Sequence, residues 1–283
     1  MNDLLTSVEE VLGKRPSGVT PLAGGCIAEV YRLDFTGGER LVAKVSDSGG
    51  LEPEGWMLRY LETHSRLPVP ALHHSDDRLL LIEYVDNDGG ILGPSAQEHA
   101  AELLADLHSV TSKRHGLERD TLIGSLTQPN RESSSWVEFF RDRRLNYIGR
   151  RALDAGTLSP STFGRLENLC SRLDEWIIEP REASLLHGDV WGGNILGSGG
   201  RIAAFVDPAI YYGDVEIELA FSTLFSTFGE PFFRRYSQLR PLAEGFFEQR
   251  RDLYNLYPLL VHTVLFGSSY AAAVDATLRR FVA

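Results

Sequence analysis

Two stretches in the last third of the chain contain polar residues whose types and spacing suit phosphoryl transfer. Residues 185–196 read Leu-Leu-His-Gly-Asp-Val-Trp-Gly-Gly-Asn-Ile-Leu, and Asp207 follows thirteen positions after Asn194. One aspartate, Asp189, could orient a hydroxyl group and accept its proton. Asn194 and Asp207 could supply hard oxygen ligands to Mg²⁺ on the phosphates of ATP. His-Gly-Asp alone also occurs in ordinary turns, so the hypothesis depends on the full set.

Strands and turns around these stretches must hold the three side chains together. Residues 194–196 and 201–206 are short β-prone runs joined by a Gly-Ser-Gly-Gly turn, which predicts a hairpin between Asn194 and Asp207. The spacing Asp-x-x-x-x-Asn, followed by an aspartate after a hairpin, resembles the catalytic and metal loops of the protein-kinase-like fold.

The first third of the chain is rich in predicted strands. Residues 27–33 alternate in polarity, and a Gly-Gly turn then leads into the β-prone residues 40–45, which is the signal of a hairpin. Pro53 marks the first turn of a helix. The continuous apolar run at residues 78–85 predicts a buried strand.

The remainder of the chain is predicted to be mainly helical. Ser95 and Ser135 each stand three residues before a glutamate, in the capping-box pattern that opens a helix. The predicted helices span about residues 96–109, 136–150, 161–178, 215–228, 232–249 and 253–273. We therefore expect an α+β protein with a small N-terminal antiparallel-sheet lobe over residues 1–85 and a larger, mainly helical C-terminal lobe over residues 86–283.

Composition excludes several classes of protein. The 283 residues include 39 acidic and 28 basic side chains, and the net charge of −11 argues against nucleic-acid binding. A hydrophobic content of 43% excludes overall disorder. Two cysteines, Cys26 and Cys170, cannot form a disulfide framework and suit a reducing compartment, which predicts a cytoplasmic protein. The most apolar stretch, residues 257–273, is too short and too interrupted to span a membrane.

The sequence resembles the fructosamine kinase (ketosamine-3-kinase) family, a relative of the aminoglycoside phosphotransferases and choline kinases. The resemblance rests on His-Gly-Asp-Val-Trp-Gly-Gly-Asn at 187–194, Asp-Pro-Ala-Ile-Tyr-Tyr-Gly at 207–213 and Gly-Gly-Cys-Ile at 24–27. It covers nearly the whole chain. One departure follows the second motif, because the family usually continues His-Arg-Glu-x-Asp-Leu-Ala and residues 214–220 read Asp-Val-Glu-Ile-Glu-Leu-Ala.

The resemblance implies a two-lobed protein-kinase-like fold that uses ATP and Mg²⁺, and it assigns the central residues. Asp189 would be the catalytic base or hydroxyl-orienting group, and Asn194 and Asp207 the magnesium ligands. Lys44 resembles the strand lysine that pairs with the ATP phosphates, and Glu54 would be its ion-pair partner. Taken alone, these last two residues also fit a surface strand lysine and an ordinary acid of a first helical turn.

The resemblance also implies how the nucleotide would be held. A glycine turn would lie over the phosphates, apolar strand residues would enclose the adenine, and the lobe connection would hydrogen-bond the adenine edge. The residues concerned are Gly24 and Gly25 in the turn, Val30, Val42 and Leu196 around the ring, and Glu83, Tyr84 and Val85 in the connection.

Trp191 is the expected substrate contact, because an indole ring can pack against a sugar face or an amine. A core position under the loop is its alternative. Asp214, Glu216 and Glu218 could meet a cationic amine, although an acidic helix N-terminus explains them almost as well.

By resemblance, the expected reaction is phosphorylation of the 3-hydroxyl of a ketosamine, such as a fructosamine or ribulosamine, in the repair of glycated amines. The partner would be this small-molecule substrate, and the protein a monomer or weak dimer. The alternatives are a related aminoglycoside or choline-type phosphotransferase and, from another class, a pseudokinase that binds without turnover.

Overall fold

The computed structural model of the protein describes residues 2–22 and 28–282. The expected phosphate turn at Gly24 and Gly25 therefore lies outside the described residues. The N-terminal part contains an antiparallel five-stranded sheet in the order β1-β2-β3-β5-β4. Its elements are α1 (Asn2–Leu12), β1 (Gly18–Pro21), β2 (Glu29–Asp34), β3 (Arg40–Val45), α2 (Glu52–His64), β4 (Leu72–Ser75) and β5 (Leu79–Glu83).

Strand β5 is covered on both faces, which explains its continuous apolar sequence. Leu79 and Leu81 pack in one buried cluster with residues of α1, and Leu80 and Ile82 pack in another with residues of α2. Successive side chains of a strand point to opposite faces, so a strand buried on both sides needs an apolar residue at every position. Helix α1, which covers the outer face, is not among the predicted elements.

The C-terminal part is mainly helical, with short strands that hold its loops. Strands β12, β9 and β6 form a three-stranded sheet, and β7–β8 and β10–β11 are separate hairpins. The helices are α3 (Pro94–Leu107), α4 (Trp136–Phe139), α5 (Asn146–Asp154), α6 (Pro160–Cys170), α7 (Val215–Leu224), α8 (Glu230–Leu239), α9 (Arg251–Phe266) and α10 (Ala271–Phe281). The strands are β6 (Thr111–Ser112), β7 (Thr121–Ile123), β8 (Leu126–Gln128), β9 (Ala183–Leu186), β10 (Ile195–Ser198), β11 (Arg201–Phe205) and β12 (Tyr211–Gly213).

The two predicted capping boxes have different outcomes. Ser135 caps α4, because its Oγ accepts a hydrogen bond from the amide of Glu138 at 3.2 Å. The capping box at Ser95 is wrong, since α3 begins at Pro94 with Gly93 as its N-cap and Ser95 already lies in the first turn. Proline is suited to the first helical position, where its missing N–H would have no partner in any case.

Two of the predicted helices are wrong as single elements. The predicted helix over residues 253–273 is divided between α9 and α10 at Gly267, whose φ of +92° is outside the helical region. The predicted helix over 232–249 ends with α8, and a π-helical segment, Phe246–Arg250, then leads into α9. A second π-helical segment, Phe140–Leu145, joins α4 to α5.

The chain passes from the five-stranded sheet to the helical part through residues 84–93, between β5 and α3. The predicted division at residues 85 and 86 falls in this segment and stays a prediction. Across residues 2–22 and 28–282, none of the helices has both the length and the apolar character needed to cross a bilayer.

Candidate active site

A cleft of about 1140 Å³ lies between the five-stranded sheet and the helical part. It brings together residues that are far apart in the sequence, and most of the predicted site residues line it. Those at the cleft are Val30, Val42, Lys44, Glu54, Glu83, Tyr84, Val85, Asp189, Trp191, Asn194, Leu196, Asp207 and Glu218.

The loop after β9 holds Asp189 and Asn194 in contact with each other. Asn194 Nδ2 donates hydrogen bonds to Asp189 Oδ2 at 2.7 Å and to the Asp189 carbonyl at 3.0 Å. The loop can take this path because Gly188 has a φ of +85°, and a Cβ there would lie 2.0 Å from the carbonyl oxygen of Ala209. Glycine is therefore required immediately before Asp189.

The surroundings of Asp189 favour a carboxyl group that can exchange a proton near neutral pH. Burial raises the pKa of Asp189 to about 7, and the negative charges of Asp207 and Glu218 act in the same direction. The hydrogen bond from Asn194 opposes this shift. A general base is most effective when its pKa lies near the working pH.

Asp207 is placed next to the same loop by the β10–β11 hairpin. The amide of Val206 donates to the carbonyl of Asn194 at 3.0 Å, and the amide of Ala209 donates to the carbonyl of His187 at 2.8 Å. Asp207 itself has a φ of +55°, which is uncommon for a residue with a side chain and marks a conformation fixed by its neighbours.

The donor set fits a magnesium ion that is shared with phosphates. Because Asn194 Nδ2 is directed at Asp189, its Oδ1 is the amide atom left to face a cation. Asp207 adds a carboxylate, and Mg²⁺ prefers such oxygen ligands together with substrate phosphates. Within the described residues there is no cluster of three or more His, Cys, Asp or Glu side chains that could hold a metal without further ligands.

Lys44 lies between two carboxylates. Its Nζ is 2.7 Å from Glu54 Oε1 and also contacts Asp207 Oδ1. Burial alone would lower the pKa of Lys44, but the charges of Glu54 and Asp207 outweigh it and hold the pKa above its ordinary value. The lysine is therefore a fixed positive charge beside the proposed metal ligand.

The segment after β5 has a free main-chain donor at the cleft. The amides of Glu83 and Tyr84 are used, since they donate to the carbonyls of Ala71 and Arg40 at 2.9 and 3.2 Å. The amide of Val85 makes no hydrogen bond within the described part of the chain. Val85 N is thus available to the edge of a planar ring held between the apolar side chains predicted for adenine.

The side chain of Trp191 lines the cleft and is partly open to solvent. It is 40% exposed and meets the ring of Phe225 edge-on, with centroids 6.2 Å apart. A Cβ on Gly193 would lie 2.3 Å from the indole, so a glycine there is needed for this ring position. The alternative of a core tryptophan does not fit this exposure.

Asp214, an expected substrate contact, does not line the cleft. This side chain is only 8% exposed. Its Oδ1 accepts from the amide of Glu216 at 3.0 Å, as the N-cap of α7, and its Oδ2 accepts from the hydroxyl of Tyr254 at 2.6 Å. Glu216 is also buried, and it pairs with Arg250 at 2.6 Å.

Glu218 lines the cleft and contacts the loop after β9, and its role toward a substrate stays a prediction. Its side chain is fully buried, and Oε1 accepts from the amide of Gly188 at 2.6 Å. His108 Nε2 lies 2.9 Å from Oε2, and His108 Nδ1 lies 2.7 Å from the hydroxyl of Tyr236. Because a carboxylate only accepts, Nε2 donates to Glu218.

Glu218, His108 and Tyr236 form a buried hydrogen-bonded group, and neither His108 nor Tyr236 was predicted from the sequence. Burial alone would raise the pKa of Glu218, but the hydrogen bond and charge of His108 hold it below its ordinary value. Neither His108, at the end of α3, nor Tyr236, in α8, stands in a recognisable motif. Their only sequence signal is a polar residue within an otherwise apolar helical face.

His187 has a structural position in the loop after β9. It is fully buried, and its Nδ1 accepts from the amide of Asp189 at 3.3 Å. Burial lowers its pKa, so the ring is neutral at ordinary pH.

Comparison with known proteins gives consistent matches along the chain. A family model described as fructosamine kinase matches residues 1–283. The chain is 33% identical over 265 residues to the chloroplastic protein-ribulosamine 3-kinase of Arabidopsis thaliana, an alignment that covers 89% of this chain and 78% of the relative. It is 32% identical over 274 residues to a probable ketoamine kinase of Enterococcus faecium, covering 93% and 95% of the two chains.

A solved structure agrees with these matches. The crystal structure of a putative fructosamine-3-kinase from Thermobifida fusca superposes with a TM-score of 0.86 at 31% identity and covers 99% of this chain and 98% of that chain. The expected α+β, protein-kinase-like architecture is confirmed, with an antiparallel sheet followed by a mainly helical part. With a family match over its whole length, the chain belongs to the fructosamine kinase family.

Proposed function

We propose that this protein transfers the γ-phosphoryl group of ATP to the 3-hydroxyl of a ketosamine. The proposal rests on one observation: Asp189, Asn194, Asp207 and the Lys44–Glu54 pair line a single cleft in a member of the fructosamine kinase family. These are the side-chain types that a magnesium-dependent phosphotransferase of the kinase type uses.

Each residue has a chemical task in this proposal. Asp189 binds the acceptor hydroxyl and takes its proton, while Asn194 holds the carboxylate in place through Nδ2. Asn194 Oδ1 and Asp207 would hold Mg²⁺, and Lys44, fixed by Glu54, would pair with the phosphates. When bound, the magnesium ion supplies neutralisation of the phosphate charge during transfer.

For the nucleotide base we propose a position between the sheet and β10. Val30, Val42 and Leu196 would enclose the adenine, and the amide of Val85 would donate to its edge. Gly24 and Gly25 remain the proposed turn over the phosphates, where glycines let backbone amides approach an anion.

The acceptor is proposed to be a fructosamine or ribulosamine. The names of the relatives, a protein-ribulosamine 3-kinase and a ketoamine kinase, support this class. Trp191 is suited to one face of the sugar or to the attached amine. The phosphorylated product would decompose and release the amine, so that the reaction repairs a glycated amine.

The aminoglycoside or choline-type alternative comes from related enzymes, and the departure at residues 214–220 leaves room for it. That departure bears little on the acceptor, because Asp214 and Glu218 are buried in contacts within the protein. The pseudokinase alternative is disfavoured by the intact set of Lys44, Asp189 and Asp207.

A coupled assay of ADP release tests the proposal. Fructosamines, ribulosamines and erythrulosamines would be compared with choline and an aminoglycoside at equal concentrations, with phosphorylation at O3 verified by NMR. We expect the highest kcat/KM for a ketosamine and no turnover by Asp189→Asn. A preference for choline or the aminoglycoside, or turnover that survives Asp189→Asn, would contradict the proposal.

We propose further that the enzyme is cytoplasmic and a monomer or weak dimer. The small number of cysteines supports a reducing compartment. Light scattering over a range of protein concentrations would measure the mass, and a stable tetramer would contradict this part of the proposal.

A further inference from the structure

A short hairpin on the helical side of the cleft contacts both halves of the proposed nucleotide site. We call residues 119–128, which comprise Arg119, Asp120 and the β7–β8 hairpin, the cleft hairpin. Its two-residue turn consists of Gly124, with a φ of +56°, and Ser125, and both line the cleft.

The first end of the cleft hairpin is attached to helix α2. The guanidinium of Arg119 donates to Glu52 Oε1 at 3.2 Å and to Glu52 Oε2 at 2.9 Å, and it lies 4.9 Å from the ring centroid of Trp56. Both partners are in the first two turns of α2, on either side of Glu54. A bidentate ion pair whose guanidinium also lies over an aromatic ring fixes the orientation of the arginine as well as its distance from the carboxylate. Arg119 therefore holds the part of α2 that carries the partner of Lys44.

The second end of the cleft hairpin is attached to the chain immediately after Asp207. Gln128 is buried, and its Nε2 donates to the carbonyl of Ala209 at 2.9 Å, while the hydroxyl of Thr121 donates to the carbonyl of Ile210 at 3.3 Å. The hydroxyl of Tyr257 donates to Gln128 Oε1 at 2.7 Å, which fixes the orientation of the amide.

These contacts bear on Asp207 because its backbone has a positive φ, which is uncommon for a residue with a side chain. A φ of +55° must be maintained by neighbouring contacts. Gln128 and Thr121 bind the two carbonyls that lie two and three residues later. The cleft hairpin thus forms a continuous connection between Glu54, which holds Lys44, and the turn that presents Asp207.

We propose that the cleft hairpin is a positioning element, with Arg119 and Gln128 as positioning residues that set the separation of the Lys44–Glu54 pair from Asp207. Magnesium-nucleotide binding needs both groups at once, so a fixed separation favours it. This inference rests on the proposed function, because it concerns the same nucleotide site.

Arg119→Met tests the first attachment. This variant keeps an unbranched side chain beside Trp56 and removes both hydrogen bonds to Glu52. We expect the dissociation constant of Mg-ADP, measured by calorimetry without any acceptor, to rise about threefold to tenfold, in line with the modest strength of a partly exposed pair. The KM for the ketosamine should change less than twofold. Thr127→Ala, an exposed position on β8, is the matched control and should leave both constants unchanged.

Reversal of the pair separates positioning from a general loss of stability. Glu52→Arg and Arg119→Glu should each weaken Mg-ADP binding, and the double variant should bind it more tightly than either single variant. A residue with only a structural role in its own loop would give additive losses.

Gln128→Glu tests the second attachment. It keeps the size of the side chain and the acceptor for Tyr257, but it places an oxygen where Nε2 donates to Ala209. We expect Mn²⁺ binding to the enzyme–ADP complex, measured by electron paramagnetic resonance, to weaken about tenfold. The melting temperature of the apo variant would be recorded beside it, and Gln128→Met repeats the test if the glutamate variant does not fold.

The outcomes separate this inference from the proposed function. Wild-type protein that binds Mg-ADP, with Arg119→Met and a folded Gln128 variant binding equally well, would overturn the inference alone. Wild-type protein that does not bind Mg-ADP at all would overturn the proposed function and the inference together.

Discussion

Asp189 lies in an environment that differs strongly from that of a free aspartate in solution. Burial and two neighbouring carboxylates raise its pKa to about 7. Only the ionised carboxylate can take a proton from the acceptor hydroxyl. The rate of the reaction should therefore depend on pH around the raised pKa of Asp189.

We predict that kcat/KM for the ketosamine falls on the acid side as pH decreases through about 7 or somewhat lower. Asp189 would gain a nearby cation when magnesium is bound, and this would favour its ionised form, so the decline should occur at or below the pKa of the free enzyme. The measurement is a pH–rate profile from pH 5 to 9 at saturating Mg-ATP. A profile without an acid limb would count against Asp189 as the base.

The sequence could predict the identity of the polar residues at the cleft, but not always which way they face. Asp189, Asn194 and Asp207 lie within short loops, so their spacing alone indicates that they meet. Asp214 and Glu218 belong to the start of a helix, and the sequence does not indicate which of its faces is covered. Tertiary packing buries both residues and gives them partners from α3 and α9.

At the scale of elements, α7 links the buried core to the catalytic loop through Glu218. We predict that Glu218→Ala lowers kcat about a hundredfold, because the amide of Gly188 and the ring of His108 lose their partner together. Glu218→Gln should retain much more activity, since its carbonyl can still accept from Gly188. Steady-state kinetics with circular dichroism as a fold control would compare the two, and equal losses would contradict this reason.

Asp214, the N-cap of α7, makes the free energy of unfolding depend on pH. Burial raises the pKa of Asp214 to about 7, with the charge of Glu216 adding to the effect, whereas the unfolded value is 3.8. The folded state therefore favours the protonated form. Below the pKa of the unfolded state, Asp214 is protonated in both the folded and the unfolded protein, so it does not affect the free energy of unfolding. As pH rises from there to the pKa of the folded state, the free energy of unfolding decreases.

We predict that Asp214→Asn removes this decline while keeping a side chain that caps helices well. The free energy of unfolding of the variant, relative to wild type, should increase by about 2–4 kcal/mol between pH 4 and pH 8. Urea unfolding at several pH values measures it. A difference that stays constant with pH would show that the pKa of Asp214 is the same in the folded and unfolded states.

The strands were easier to predict than the helix boundaries, for a physical reason. The sequence pattern within a single strand, such as β3 or β5, shows whether one or both faces of that strand are covered. This information is local in the sequence. The π-helical segments at Phe140–Leu145 and Phe246–Arg250 each bury an arginine, Arg144 and Arg250. A π-helical segment of this kind depends on contacts with distant parts of the chain, and no local sequence pattern predicts it.

At the scale of the whole molecule, the excess negative charge is partly internal. The acids behind the catalytic loop have partners inside the protein: Glu216 pairs with Arg250, and Glu218 bonds His108. Among the described residues that line the cleft, five acids stand against one lysine, Lys44: they are Glu54, Glu83, Asp189, Asp207 and Glu218. The cleft is therefore short of positive charge before any metal binds.

This shortage predicts that a divalent cation and nucleotide stabilise the whole fold together. At a Mg-ADP concentration one hundred times its dissociation constant, the free energy of unfolding should increase by about 2.7 kcal/mol. For a chain of this size, that corresponds to a rise in melting temperature of roughly 5–10 °C. ADP with EDTA should give much less, because Asp207 would then have no cation to share with the phosphates. Asp207→Asn should abolish most of the shift, and differential scanning fluorimetry would measure all three conditions. An equal shift for Asp207→Asn would mean that the nucleotide binds without the metal and that Asp207 is only the partner of Lys44.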